Sequence, residues 1–220
     1  MACPTTTAPN NASLTFTFSD VDDTSGFSAT IDWDIASSTD PIDSFTFPVG
    51  GPQPYSFTRP HSYPSVGTYT ARVTVYDDDA LGSAPLTTAT SITVDYNTSG
   101  ILQPVNWTQG SQDPSIFKHG STLPVKVQFF NCNGTNGGSG LHVKVVVKKV
   151  SGSTPATGDP ETITNTNSPD SGGYMRWSDP IYIYNLSTGS LSDKTATYEI
   201  TLTVESTGQT VTTLFGTKAK

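Results

Sequence analysis

The sequence predicts an all-β chain folded as two tandem antiparallel β-sandwiches, and three observations carry that expectation. Apolar and polar residues alternate with period two in run after run, as in Tyr69, Ala71, Val73 and Val75 against Thr70, Arg72, Thr74 and Tyr76, which is the pattern of a half-buried strand. No window sustains apolar residues at the i, i+3, i+4, i+7 spacing of a helix. Nineteen glycines and sixteen prolines in 220 residues, with a charged fraction of only 14%, cut the chain into short segments separated by turns. That length suffices for two ordinary cores.

The elements follow in order. Residues 1–12 read as an arm of Thr, Pro and Asn without apolar period. Leu14, Phe16 and Phe18 form a first strand, and 20–26 a loop. Phe27, Ala29, Ile31, Trp33 and Ile35 share one side of a second strand, which puts Trp33 between two sheets. Strands over 42–49 and 55–58 flank the turn Gly50-Gly51-Pro52, and Pro64 with Gly67 turns the chain into the Tyr69 strand, since Pro fixes φ and Gly accepts positive φ. Asp77, Asp78 and Asp79 end that strand, because three acids are not buried unpaired. A strand over 87–95 closes a first domain spanning 13–96, the polar 97–103 reads as a linker, and 104–220 forms a second domain. There Leu141, Val143, Val145 and Val147 alternate with His142, Lys144, Val146 and Lys148. Ala196, Tyr198, Ile200, Leu202 and Val204 form a second run that turns through 206–209 into a closing hairpin. Lys144 and Lys148 suit an edge strand, where charge discourages pairing with other chains.

A tyrosine just past a turn, at the start of a central strand, suits a corner in which its hydroxyl bonds back to nearby backbone. Together Asp32-Trp33-Asp34 and the stretch from His61-Ser62-Tyr63 through Asp77 resemble the PKD domain over about residues 13–95. The resemblance implies an immunoglobulin-like fold of a kind found in surface proteins, secreted enzymes and some virion proteins. It departs from the family at Ile35-Ala36-Ser37-Ser38, where a Gly-Asp-Gly-type turn is usual. In the second half, Lys118-His119-Gly120-Ser121-Thr122-Leu123-Pro124-Val125-Lys126-Val127-Gln128-Phe129 is similar to the opening of the PxKF domain. Gly173-Tyr174-Met175-Arg176-Trp177 and the hairpin from Gly208 to Phe215 are similar to its second half. Val127 stands where the name motif has Phe. This second resemblance implies another small immunoglobulin-like sandwich without catalytic activity.

The net charge of −8 is uneven: residues 1–100 hold eleven acids against Arg59 and Arg72, whereas residues 101–220 hold eight acids against nine bases. An acidic first half and a second half whose basic cluster is only Lys144, Lys148 and Lys149 argue against a nucleic-acid partner. No run approaches a membrane span, and the Met1 start has neither a charged nor an apolar leader region. Cys3 and Cys132 lie far apart and are expected to be free or merely packed, with a bridge between them as the alternative.

Three chemistries have candidate residues in the sequence. Asp32 and Asp34 project from one strand face, and Asp77, Asp78 and Asp79 end the neighbouring strand, so the five form a candidate Ca²⁺ site; the alternative is solvated strand ends. For catalysis, His61, His119 and His142 belong to no metalloprotease or nucleophile motif, and no enzyme is expected; His61 is placed in a turn and His142 on a wet face. In Pro180-Ile181-Tyr182-Ile183-Tyr184-Asn185, inward isoleucines would turn Tyr182 and Tyr184 outward as a protein interface or a platform for cell-surface carbohydrate; the alternative is packing under the loop 159–171. Sequons at Asn11, Asn97, Asn106, Asn133 and Asn185 are expected by chance in so Ser- and Thr-rich a chain.

These readings converge on a structural or display protein without a catalytic cofactor. One placement is a virion component, namely a capsid decoration, fibre or tail-associated protein contacting other structural subunits, with an oligomer allowed; the plain Met1 start and the absence of an anchor favour it. The other is a fragment of a secreted or cell-surface protein, either an adhesin or the accessory module of a degrading enzyme.

Overall fold

The structure is a computed structural model that describes residues 12–19, 26–37, 39–40, 42–48, 54–77, 84–107, 113–151, 160–164 and 172–219. Residues 1–11 of the expected arm, Cys3 among them, and Asp78 and Asp79 lie outside the described residues, while Ala12 belongs to the first strand. The chain divides into two compact units, Met1–Asp95 and Tyr96–Lys220.

The first unit contains β1 (Ala12–Phe18), β2 (Phe27–Asp32), β3 (Ile42–Phe47), β4 (Tyr55–His61), β5 (Gly67–Asp77) and β6 (Leu86–Val94). All pairings are antiparallel, in a two-stranded sheet β1-β4 and a four-stranded sheet β3-β2-β5-β6. Period two decides the core: Phe27, Ala29 and Ile31 of β2 and Ala71, Val73 and Val75 of β5 are buried, and register pairs Ala29 with Val75 and Ile31 with Val73 on the inner face. Aromatic rings close the space between the sheets. Phe18 stacks on Tyr55 at 5.2 Å and meets Phe27 and Phe47 edge-on at 5.3 and 5.4 Å, arrangements that add to the burial of the rings themselves. Threonine pairs line the wet faces, with Thr15 against Thr58 at 2.9 Å and Thr68 against Thr93 at 3.4 Å.

One expectation in this unit is corrected. The second strand ends at Asp32, so Trp33 caps the core from a bend and Ile35 is exposed. At the departure from the PKD pattern, Asp34 builds the turn: its carbonyl accepts from the Ser37 amide at 2.9 Å and its carboxylate from the Ala36 amide at 3.2 Å, a side-chain-supported turn that needs no glycine.

The second unit contains β7 (Asn97–Ile101), β8 (Ile116–Lys118), β9 (Thr122–Phe130), β10 (Val143–Ser151), β11 (Arg176–Ser178), β12 (Ile181–Ser187), β13 (Thr197–Val204) and β14 (Thr210–Lys218). They form the sheets β10-β13-β14-β8 and β11-β12-β9-β7, antiparallel throughout except for β14 with β8. Val143, Val145 and Val147 lie beside Val204, Leu202 and Ile200 in the same sheet and share one buried cluster with Tyr198 and with Leu123, Val125, Val127 and Phe129 of the other sheet. The hairpin β13–β14 turns at Gly208, whose φ of 72° lies in the left-handed region and whose amide reaches the Val204 carbonyl at 2.8 Å. β10 is an edge strand with Lys144 and Lys148 exposed on it.

The stretch expected as a linker is a strand. β7 pairs with β9, and the second unit already holds Tyr96, because the Gln209 side-chain amide accepts from its N–H at 3.0 Å and donates to its carbonyl at 2.7 Å. Polar composition misled here because an edge strand with one wet face is itself polar. Cys132 is disulfide-bonded, the alternative that the sequence left open.

Candidate functional site

The most tightly organised group in the first unit is aromatic. Trp33 is fully buried; its indole N–H donates to Asp43 Oδ2 at 2.9 Å and its ring lies 4.5 Å from the His61 ring at an interplanar angle of 9°. His61 is therefore in β4 and packed on the core tryptophan, not in a turn. Tyr63 continues the stack: its ring meets His61 edge-on at 4.7 Å and Tyr69 face-on at 4.0 Å, and its hydroxyl donates to the Trp33 carbonyl at 2.9 Å. Tyr69 makes the expected corner, its hydroxyl donating to the Ser65 carbonyl four residues upstream at 2.8 Å. Burial, reinforced by the charges of Asp34 and Asp40 and by Tyr69, pushes the Tyr63 phenol up to about 12, so it stays protonated and keeps donating. Burial also holds His61 below its ordinary 6.5, against the opposing pull of Asp40 and Asp43.

That shift makes a pH prediction with a defined sign. Below about pH 6.5 the unfolded chain takes up a proton at this histidine that the folded unit resists, so the stabilising contribution is complete above that pH and declines as pH falls through it. Urea unfolding of the first unit is expected to have a lower midpoint at pH 5.5 than at pH 8. His61→Gln should flatten that interval; an equal slope in the variant would remove His61 as the cause.

Among the described calcium candidates, Asp77 is not brought to Asp32 and Asp34. β2 and β5 run antiparallel with Asp32 opposite Arg72 and Phe27 opposite Asp77, which puts Asp77 at the other end of β2, about 17 Å from Asp32 at ~3.4 Å per residue. The expectation that they adjoin is corrected: neighbouring strands in a sheet share an end only when their directions place it there. Asp32 instead pairs with the Arg72 guanidinium at 3.0 Å, an exposed contact of about 0–1 kcal/mol, and Asp34 supports its turn. Among the described residues no cluster of three or more metal-ligating side chains occurs.

Tyr182 and Tyr184 are also corrected. Both are buried, at 1% and 2% exposure, while Ile181 and Ile183 are half-buried. Register explains the inversion: Tyr182 and Tyr184 lie opposite the buried Val127 and Val125 of β9, and Ile183 lies opposite Lys126. The Tyr182 hydroxyl is nonetheless satisfied at the rim of the core, donating to the Gly138 carbonyl at 2.7 Å and accepting from the Leu141 amide at 2.9 Å. The other histidines are peripheral: a ring nitrogen of His119 lies 3.2 Å from the Leu191 carbonyl, and His142 is exposed.

The sequence reading missed the side of the first unit formed by β1 and β6. Register puts Thr88 opposite Val73 and Thr90 opposite Ala71, hence on the inner face, yet Leu86, Thr88 and Thr90 are exposed. The two-stranded sheet stops short of them. β1 pairs only with β4 among the described strands, and beneath its other edge lies a cavity of about 210 Å³ lined by Leu14, Phe16, Ala71, Val73 and Ala89 among others. Among the described residues no strand covers this part of β6, and Leu86–Val94 itself carries no charge or proline that would blunt it against further pairing. The uncharged LTTATSITV run was the available signal.

Among the described residues no helix is long and apolar enough to cross a membrane. No curated protein matches the chain. A family model described as the PKD domain matches residues 2–95, and the first unit, with its antiparallel sandwich, core tryptophan and tyrosine corner, is accordingly similar to that immunoglobulin-like module, which typically occurs in extracellular proteins.

Proposed function

We propose that the chain is a non-enzymatic structural or display protein that joins other protein subunits on the surface of a virion. The observation that supports it is the open slot between the β1 edge and the inner face of β6 in the first unit. An extended segment laid there would pair its backbone with β1 and cover Thr88 and Thr90, a strand-addition contact of the kind that links subunits. The occupant we assign is residues 1–11 of a neighbouring subunit. They precede β1 in the sequence and hold no charged side chain, matching an uncharged slot, and they lack the apolar content to offset their own ordering entropy of about 1–2 kcal/mol per residue without a partner. The second unit, read as a PxKF-type sandwich, serves as a spacer.

The test is limited proteolysis of the isolated chain and of assembled particles. Under reducing conditions, so that no disulfide can tether Cys3, residues 1–11 are expected to be trimmed rapidly from the isolated chain and protected in the particle. Rapid trimming in the particle overturns the docking role, and protection already in the monomer means that the segment fills the slot of its own chain.

A second reading has its own support. The disulfide at Cys132 is of a type that persists in oxidising surroundings, as expected of a secreted or cell-surface protein. Recovery of the chain from culture medium or a cell envelope, and its absence from purified particles, would favour this placement over the virion.

A further inference from the structure

In the second unit, a cleft of about 690 Å³ opens beside β7 and β14, within the size range of small-ligand sites, about 300–1,000 Å³. Its position follows from the strand pairing. β8 accompanies β14 only along Gly216–Lys218, and the segment 211–214 is left without a strand on that side among the described residues. The loop 102–107 runs past this gap and is held from several directions. The Leu102 amide donates to the Lys126 carbonyl at 2.8 Å, Val105 is buried, and the buried Thr213 hydroxyl shares its proton between the carbonyls of Val105 at 3.1 Å and Trp107 at 2.9 Å. The cleft wall is thus fixed before any ligand arrives.

The lining mixes one flat ring with planar polar groups. Trp107 and Leu214 are half-buried, Gln103, Asn106 and Thr212 are exposed, and Glu199 projects from β13 on the face it shares with its register partner Leu214. We propose that this cleft binds a neutral saccharide. An indole face suits the apolar C–H face of a pyranose, while two primary amides, a hydroxyl and a carboxylate offer the donors and acceptors that vicinal hydroxyls need at close spacing. A wholly apolar ligand would bury those groups unpaired. An anionic ligand would meet the Glu199 carboxylate, and among the described residues no Lys or Arg lines the cleft. The cleft replaces the Tyr182 and Tyr184 platform expected from the sequence, and saccharide binding here is independent of whether the chain sits on a particle.

The full ¹⁵N-labelled chain would be titrated with cellobiose, N,N′-diacetylchitobiose, lactose and maltose while amide and indole N–H signals are followed. At least one disaccharide is expected to give saturable shifts in the millimolar range that map to Gly100, Gln103, Asn106 and the Trp107 indole. Gln103→Ala with Asn106→Ala, both at exposed positions, should weaken that binding at least tenfold without changing the Tm, and Trp107→Phe should retain more of it than Trp107→Ala. Absence of saturable shifts with all four sugars, shifts that map elsewhere, or a double variant that binds as well as the parent would each overturn the assignment.

Discussion

Replacing Trp33 with alanine is expected to lower the stability of the first unit by about 3–5 kcal/mol, the range for deleting a large aromatic side chain from a core. The side chain is fully buried, so its removal leaves a void that neighbouring β-strands, pinned by their ladders, cannot collapse to fill. Two further losses push the figure toward the upper end. Asp43 loses its indole donor at 2.9 Å, and His61 loses the ring on which it lies at 4.5 Å. The Tyr63 hydroxyl keeps its bond, because its acceptor is the Trp33 backbone carbonyl. Urea unfolding of the full chain followed by resolved NMR signals from each unit would separate the effects. The first unit should unfold at markedly lower urea and the second at its original midpoint; an unchanged first midpoint would mean that Trp33 does not support the core.

Tyr182→Ala is expected to destabilise the second unit by a similar amount, about 3–5 kcal/mol. The ring packs among Trp177 at 5.0 Å and Phe129 at 6.1 Å, and the hydroxyl ties down the loop at Gly138 and Leu141 through two hydrogen bonds. Tyr182→Phe separates the contributions. It keeps the ring but strands the Leu141 amide and the Gly138 carbonyl, at a cost of about 1–3 kcal/mol if these groups stay dry. A surface tyrosine serving only as an interface would show neither loss, so a Tyr182→Ala chain melting like the parent would restore the outward orientation that the sequence alone suggested.

The strands of both sandwiches were legible because alternation is a local property. Phe27, Ala29 and Ile31, or Tyr198, Ile200, Leu202 and Val204, declare a strand and its inner face without reference to any partner. Trp33 and Tyr69 were legible for a related reason, since each sits at a fixed offset from a strand end or turn.

What failed was whatever depended on a partner strand. In β12 both alternate sets are apolar enough to be buried, and only the register against Val125, Val127 and Lys126 selected the tyrosines, because a one-residue slip exchanges the two faces of a strand. Asp32 and Asp77 looked like neighbours until the antiparallel direction of β5 set them at opposite ends. Asn97–Ile101 looked like a linker until β9 gave its backbone somewhere to pair. The cleft at Trp107 could not be seen at all, because its walls are brought together from residues about a hundred positions apart, and its loop is anchored in part by the hydroxyl of Thr213. Thus local patterning determined the strands, the core tryptophan and the tyrosine corner. Strand direction, register and long-range anchoring, which are energies of pairing between distant segments, decided which side chains face solvent and which surfaces are open to a ligand.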